Sequence, residues 1–518
     1  MIKPRSVREA EREFLVGYGK IRTAIIKYDP TDLVSYLQSY ICTEYLKGEE
    51  GVRNCLPWNQ LLLIKWILIN SDFTKQKKRA DQKAAYKILK QAWTFAHKKK
   101  LLGGIPDLHL FMRPIVFQQT NYQRPFLQSE FGRQNLLFSN LPADHAFHRQ
   151  FTDKTGLTFQ EFFQYALCLW GWFDGAQKSR FKLSDFDLLK DRLDMPKMEA
   201  FLDSLSKSLP DVRSYLIEVD NSSGKKRRYE EYLEDTPLYK WPLVWFDQEY
   251  WIWYPTLLMR CLESFIYDNL KAIDPNKFMD KFGGIFEEYI DTAIQNTNTQ
   301  YLREDEIQKC IGDGKCIDFV LHEGTDVIFM DAKATEIKVP ERFTQSPKRV
   351  QDRIKGSVLK AIEQAHAVYS QFDQLKEITG LAREEITPYV LIVTYKEHFL
   401  GNGVTLSESI AKDKLEAIQK KYPDANIPLE NIYCISVDNF DFMTEAVRRG
   451  EKTYSDILKA AIVADKQPET KCYNFDLHLN AQDIRGMPDW IRQANVKLFE
   501  SMTDLSADNH GEVVEVAQ

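Results

Sequence analysis

The sequence predicts an α+β chain of several domains, with a mostly helical N-terminal region followed by an α/β sandwich. Three observations predict it. Up to about residue 235 apolar residues recur at helical spacing. Between 241 and 255 two aromatic runs flank a turn. From about 276 the pattern becomes helix, hairpin, helix, strand, helix, strand, which is a sandwich order. A length of 518 residues allows about three domains. The expected boundaries are 1–235 for a helical recognition or sensor region, 236–275 for an aromatic hairpin and its connecting helix, 276–450 for the sandwich, and 451–518 for a C-terminal helix and a partly disordered tail.

In chain order, "DLVSYLQSYICTEYL" and "AAYKILKQAWTFAH" carry helical stripes. "TFQEFFQYALCLWGWF" (158–173) is apolar nearly all round and predicts a central buried helix. His145 and His148 lie three apart, but no further ligand is near them, so two ordinary histidines are expected. "NSSGKKRRYEEYLED" (221–235) reads as an exposed loop. "WPLVWFDQEYWIWYP" reads as a β-hairpin, and "TLLMRCLESFIYDNLKAI" as the helix after it. Then follow a helix at 278–296, strands at 316–321 and 327–334 joined by a turn at Gly324, and a basic helical stretch at 346–375. A strand at 389–395, a helix near 406–421 and a strand at 432–437 complete the series.

Composition narrows the function classes. A net charge of −6 excludes a generally basic nucleic-acid packager but not a local basic surface. None of the eight cysteines forms a C-x-x-C pair, and several lie in apolar runs, which suits reduced, buried thiols in a cytoplasmic protein. The N-terminus has no apolar signal core, and the greasiest run, "LLLIKWILI" (61–69), is too short to span a bilayer and carries Lys65, so no membrane association is expected. There is no G-x-x-x-x-G-K-[ST] loop, no H-E-x-x-H, no G-x-S-x-G and no zinc-ligand spacing.

The chemistry concentrates in "VIFMDAKAT" (327–335). On a strand, Val327, Phe329, Asp331 and Lys333 share one face, so a carboxylate and an ammonium stand together at its C-terminal end. A lone buried carboxylate there must be paired, solvated or metal-bound. Asp318, in "IDFVL", lies thirteen positions earlier. With a tight turn between the strands, the start of one lies opposite the end of the other, so Asp318 comes beside Asp331. Two converging carboxylates repel unless a cation lies between them, and oxygen donors suit Mg²⁺ or Mn²⁺. On the preceding helix Glu287 flanks the apolar stripe while Glu288 faces solvent, so Glu287 is the residue expected to reach inward. The pair Gly283–Gly284 would allow a close backbone approach. The bland alternative is a strand-end salt bridge between Asp331 and Lys333, with Asp318 a turn residue.

Glu287, Asp318 and the Asp331-Ala332-Lys333 triplet, in this order and on these elements, resemble the active site of the PD-(D/E)xK nuclease superfamily. The match covers about 278–440. It implies a restriction-endonuclease-like α/β/α domain with a mixed sheet and a Mg²⁺- or Mn²⁺-dependent endonuclease that leaves a 5′-phosphate and a 3′-hydroxyl. By that resemblance Glu287, Asp318, Asp331 and the carbonyl of Ala332 would hold the metal. Lys333 would orient or help deprotonate the attacking water. Where the family has a proline before the first aspartate, this chain has Ile317. Gln364, on the helix after the triplet, corresponds to a glutamine that some branches carry, although Tyr369 lies one position beyond their usual tyrosine.

Lys338, Arg342, Lys348, Arg349, Arg353 and Lys355, with Lys360 beyond them, form a local basic excess beside the triplet that suits phosphate-backbone contacts. Two other basic runs, 75–100 and 225–228, are expected to be solvated surface. The partner expected is nucleic acid, DNA ahead of RNA. The resemblance also suggests anti-phage defence, with a trigger recognised by the N-terminal region, and a homodimer as the form that cuts two strands. The alternative is a catalytically inactive nucleic-acid-binding or protein-sensing scaffold built on the same fold.

Overall fold

The computed structural model describes residues 7–98, 107–123, 128–222, 229–312, 314–338 and 342–503. The chain forms two compact units. The first comprises Met1–Pro106, Gln118–Leu270 and Gln493–Gln518; the second comprises Asp107–Phe117 and Lys271–Arg492.

The first unit is mainly helical. The helix Pro57–Asn70 is buried without interruption from Gln60 to Leu68. Lys65 within it is matched by Asp220 at 3.3 Å and Glu231 at 3.4 Å, and Trp66 donates to Glu231 at 3.1 Å. This explains how a lysine survives in so apolar a run. The helix expected to be central is Phe159–Ala176, capped reciprocally by Thr158 and Glu161, but it buries one face only: Phe159, Phe162, Phe163, Tyr165, Ala166, Leu169 and Phe173. Aromatic bulk rather than all-round enclosure accounts for its composition. His145 accepts the Phe147 N–H at the start of the helix Ala146–Thr155, and His148 pairs with the Leu141 carbonyl.

The aromatic hairpin forms and belongs to a four-stranded mixed sheet absent from the sequence prediction. Its strands are β1 (Arg180–Phe181), β2 (Ser206–Ser208), β3 (Leu243–Phe246) and β4 (Glu249–Ile252), in the order β1-β4-β3-β2. β2 pairs parallel with β3, and the other pairs are antiparallel. The turn between β3 and β4 places Asp247 and Gln248 both at positive φ, 53° and 61°, the geometry that matches strand twist.

The second unit holds a five-stranded mixed sheet of β5 (Gln300–Arg303), β6 (Phe319–Glu323), β7 (Asp326–Lys333), β8 (Thr387–Thr394) and β9 (Ile432–Ser436), in sequential order. β5, β6 and β7 run antiparallel; β7, β8 and β9 run parallel. Gly324 at φ 65° makes the tight turn that fixes the β6–β7 register, with Phe319 opposite Met330. One face of the sheet, with Val320, Val327, Phe329, Val390 and Ile392, packs with the helices Pro347–Ile354, Val358–Ser370 and Lys412–Lys421 in one apolar core. The helix Pro275–Gln295 lies against β7, and Val437–Arg448 against β8 and β9. Asp274 caps the first of these, accepting the Lys277 N–H, with Pro275 in the first turn.

This unit differs at both ends from the 276–450 that the sequence predicts. Among the described residues three helices follow 451, not one: Tyr454–Asp465 and Phe475–Ala481 in this unit, and Asp489–Thr503, whose residues from Gln493 belong to the first unit. The Glu323 carboxylate accepts the Tyr454 and Ser455 N–H groups, which pins the first of them to the end of β6. The segment Asp107–Phe117 joins the unit because His109 pairs with the Phe399 carbonyl at 2.8 Å and Arg113 donates to the His398 carbonyl at 3.3 Å. The run 225–228 and the tail after 503 lie outside the described residues. Among those described, no helix is long and apolar enough to cross a membrane.

Candidate active site at the ends of β6 and β7

Asp331 and Lys333 stand at the C-terminal end of β7. Asp318 immediately precedes β6, and the register carries it opposite Asp331. Its Oδ2 accepts the Ala332 N–H at 2.7 Å. Lys333 is ion-paired with Asp331, whose side chain is 0% exposed. A fully enclosed carboxylate with one cationic neighbour is a demanding arrangement.

Glu287 reaches inward from the helix Pro275–Gln295, half-buried, while Glu288 pairs with Arg303 on the exposed side. The carboxylates of Glu287, Asp318 and Glu304 approach one another within 4.8 Å. Glu304 is the residue sequence reasoning missed. It opens the helix Glu304–Ile311 straight after β5. The signal present was a short alternating strand, "QYLR", running into the acidic helix start "EDE".

Crowding governs the electrostatics. Burial, then Asp318 and Glu304, push the Glu287 carboxyl up to about 7, against partial relief from Arg303 and Lys333. Burial and Asp318 likewise raise Glu304. Asp331 is raised well above the carboxylate range by burial and then by Asp318. Burial opposes the charge on Lys333, but Asp331, Asp318 and Glu287 outweigh it and hold the ammonium protonated. Cys316, two residues before Asp318, has its thiol pushed up to about 12 by burial and then by Glu304, so it is no thiolate nucleophile.

Other expected site residues are placed differently. Gln364 is buried, and its Nε2 donates to the Cys316 carbonyl. In this way it holds the backbone that leads into Asp318. Replacing it by Met is expected to lower stability by about 1–3 kcal/mol, because a buried carbonyl loses its donor; thermal unfolding reads this directly. The Gly283–Gly284 pair makes no close approach: a Cβ at either position would meet nothing within 4 Å. Arg342 donates to the Ile337 carbonyl at 2.9 Å and Arg353 to the Glu336 carbonyl at 2.8 Å. Both are half-buried braces as well as charges. Lys348 pairs with Asp352 at 2.9 Å. Lys338, Arg349, Lys355 and Lys360 are exposed.

No family model, no curated protein and no solved structure compared with this chain matches it.

Proposed function

We propose that the second unit is a divalent-metal-dependent nuclease that hydrolyses phosphodiester bonds, with DNA the favoured substrate. One observation carries this reading. Asp318, Asp331 and Lys333 converge at the ends of two antiparallel strands, with Glu287 and Glu304 crowded against Asp318. Carboxylates gathered in this way raise one another's proton affinity, which a hard cation would relieve. The donors are all oxygen and suit Mg²⁺ or Mn²⁺. Asp318, Glu287 and Glu304 would hold the ion, joined by Asp331 and the Ala332 carbonyl as the resemblance implies. Such an ion supplies acidification of water and neutralisation of charge at the phosphate.

The protein's own groups divide the remaining work. Lys333, held protonated, orients the water and offsets charge developing on the phosphate oxygens. That protonation disfavours the base role which the resemblance allows it. Asp331 fixes the ammonium, and Asp318 fixes the Ala332 backbone through its N–H. On this reading the chain works in the cytoplasm, where its eight cysteines, all free, stay reduced. Defence against phage, with the first unit recognising a trigger, is the biological role we attach to it.

The test is cleavage of supercoiled plasmid, linear duplex and single-stranded RNA with Mg²⁺, Mn²⁺ or EDTA. Cutting that needs the metal supports the reading, and its products should carry 5′-phosphates. Metal-independent cutting, or none in cells that show a phage-dependent phenotype requiring Asp331, would contradict it. Glu304→Gln is expected to weaken metal activation about 10–100-fold in the concentration giving half-maximal cutting. An unchanged metal titration would remove Glu304 from the site.

A further inference from the structure

In the first unit a cavity of about 390 Å³ opens where the helix Phe159–Ala176 gives way to β1. One wall comes from the helix Pro30–Tyr45, with Ser39 and Thr43, and from its C-cap Leu46. The other comes from Phe173 and residues 177–180. Gln177, at φ 53°, turns the chain out of the helix, and Lys178 and Arg180 beyond it both line the cavity. Among the described residues no aspartate or glutamate lines it. The Cys42 thiol in its wall is pushed up to about 12 by burial, so it adds no negative charge.

Arg180 is fixed by contacts, all of them with neutral groups. Its guanidinium lies 3.8 Å from the centre of the Trp251 ring. Nε and Nη2 both donate to Gln38 Oε1 at 3.1 Å. Nη2 also donates to the Ser35 carbonyl at 3.1 Å and to the Ser35 and Ser39 hydroxyls at 2.9 Å. Gln38 is 0% exposed, and its Nε2 donates to the Ile252 carbonyl at 2.7 Å, which leaves Oε1 for the guanidinium. Nη1 has no hydrogen-bond partner among the described residues. Glu249 acts on Arg180 through its field alone, burial outweighs that relief, and Lys182 stands 3.8 Å from Glu249. Lys178 is exposed and has no ion pair among the described residues.

We propose that this cavity binds a small organic phosphate of nucleotide size, with its phosphate between Arg180 and Lys178 and its organic part against Phe173 and Leu46. A guanidinium held rigid by neutral acceptors keeps its full charge for a ligand, and that rigidity lowers the entropy lost on binding. Phosphate oxygens suit a guanidinium, an ammonium and hydroxyl donors together. The Ser39 hydroxyl, which accepts from Arg180, keeps its own proton to donate. Ligand cavities run from about 300 to 1,000 Å³, so this one has room for more than an inorganic ion. The inference is independent of the nuclease reading, whose residues lie in the second unit.

The experiment is calorimetric titration and thermal unfolding of the full chain in EDTA, which keeps metal from the acidic site. The probes are adenosine 5′-monophosphate, ribose 5-phosphate, inorganic phosphate and adenosine. The monophosphate is expected to bind at least about tenfold more tightly than inorganic phosphate or adenosine, and less tightly as salt rises. Ribose 5-phosphate separates two sources of the ligand: equal affinity assigns a sugar phosphate, weaker affinity a nucleotide, and both support the cavity. Lys178→Gln, at an exposed position, should weaken binding about three- to tenfold, and Arg180→Gln about 30-fold or more. Arg180→Gln also loses the bonds to Ser35 and Gln38 and can unfold the protein. Thr43→Phe therefore gives a second reading, since it narrows the cavity and leaves both cations in place. It should abolish binding while the free protein melts like wild type. The inference is overturned if no probe binds, or if adenosine or inorganic phosphate binds as tightly as the monophosphate. Binding unchanged in both Lys178→Gln and Thr43→Phe would overturn it as well.

Discussion

Asp331→Asn and Lys333→Ala are each expected to reduce metal-dependent cutting by about 10³-fold or more, while the double variant falls no further than either alone. The magnitude follows from the loss of one preorganised electrostatic contact at a reacting phosphate, about 10²–10³-fold, together with displacement of the group it positions. The failure to add follows from the ion pair: each partner fixes the other, so removing one already removes the geometry of both. The two losses differ in kind. On the proposed reading, Asp331→Asn should be partly recovered by raising the metal concentration, since it would remove charge beside the ion. Lys333→Ala should not, since it would remove a cation that faces substrate. Single-turnover cutting across a Mg²⁺ series, with far-UV circular dichroism to confirm folding, reads both. A Lys333→Ala enzyme with wild-type rate at saturating metal would sink the role given to the lysine and return Asp331–Lys333 to a strand-end salt bridge.

That pairing was legible in the sequence because a strand has a period of two and a tight turn has few solutions. Asp331 and Lys333 had to share a face, and Gly324 left one compact register, which brings Asp318 opposite Asp331. Glu287 was legible because helical periodicity separates the flank of a stripe from its solvent side. Glu304 was not, since it reaches the cluster from a short helix behind an edge strand of four residues. A window that short carries little periodicity. The partners of Gln364 were also beyond reach. Its family resemblance pointed towards a site role, while in the structure its amide donates to the Cys316 carbonyl.

The larger architecture shows the same division. Local patterns found several of the helices, the aromatic hairpin and the strands of the mixed sheet from β6 onward. Besides short helices such as Glu304–Ile311 and Phe475–Ala481, they missed elements defined by partners distant in sequence. β1 and β2 have two and three residues and exist as strands only because β4 and β3 offer them edges. Residues 107–117 read as part of a helical N-terminal region; His109 and Arg113, bonded to carbonyls nearly three hundred positions away, and Leu110 and Phe117, in the apolar core of the second unit, assign them there.

The crowding of carboxylates carries a second expectation, in stability rather than rate: Glu287→Gln should make the metal-free protein more stable at pH 8, and not at pH 5. The Glu287 carboxyl ionises near 7 in the folded chain against an ordinary 4.5. A raised carboxyl pKa means that the folded state binds this proton more tightly than the unfolded chain between those values. Folding stability therefore falls as pH rises through 4.5 to 7, and the penalty is complete above 7. The full shift would correspond to about 3 kcal/mol. Because the group is half-exposed, solvent screening reduces this to about 1 kcal/mol, or roughly 2–4 °C in the midpoint for a unit of this size. Thermal unfolding in EDTA at pH 8 and pH 5 measures it. Adding Mg²⁺ at pH 8 should reverse the order, because a cation that binds only the folded state stabilises wild type by mass action and the variant less. The crossing separates a built cation site from a merely acidic surface. A surface cluster would show the gain in EDTA without the reversal. A structural hydrogen-bonding role for Glu287 would show a loss in EDTA at both pH values.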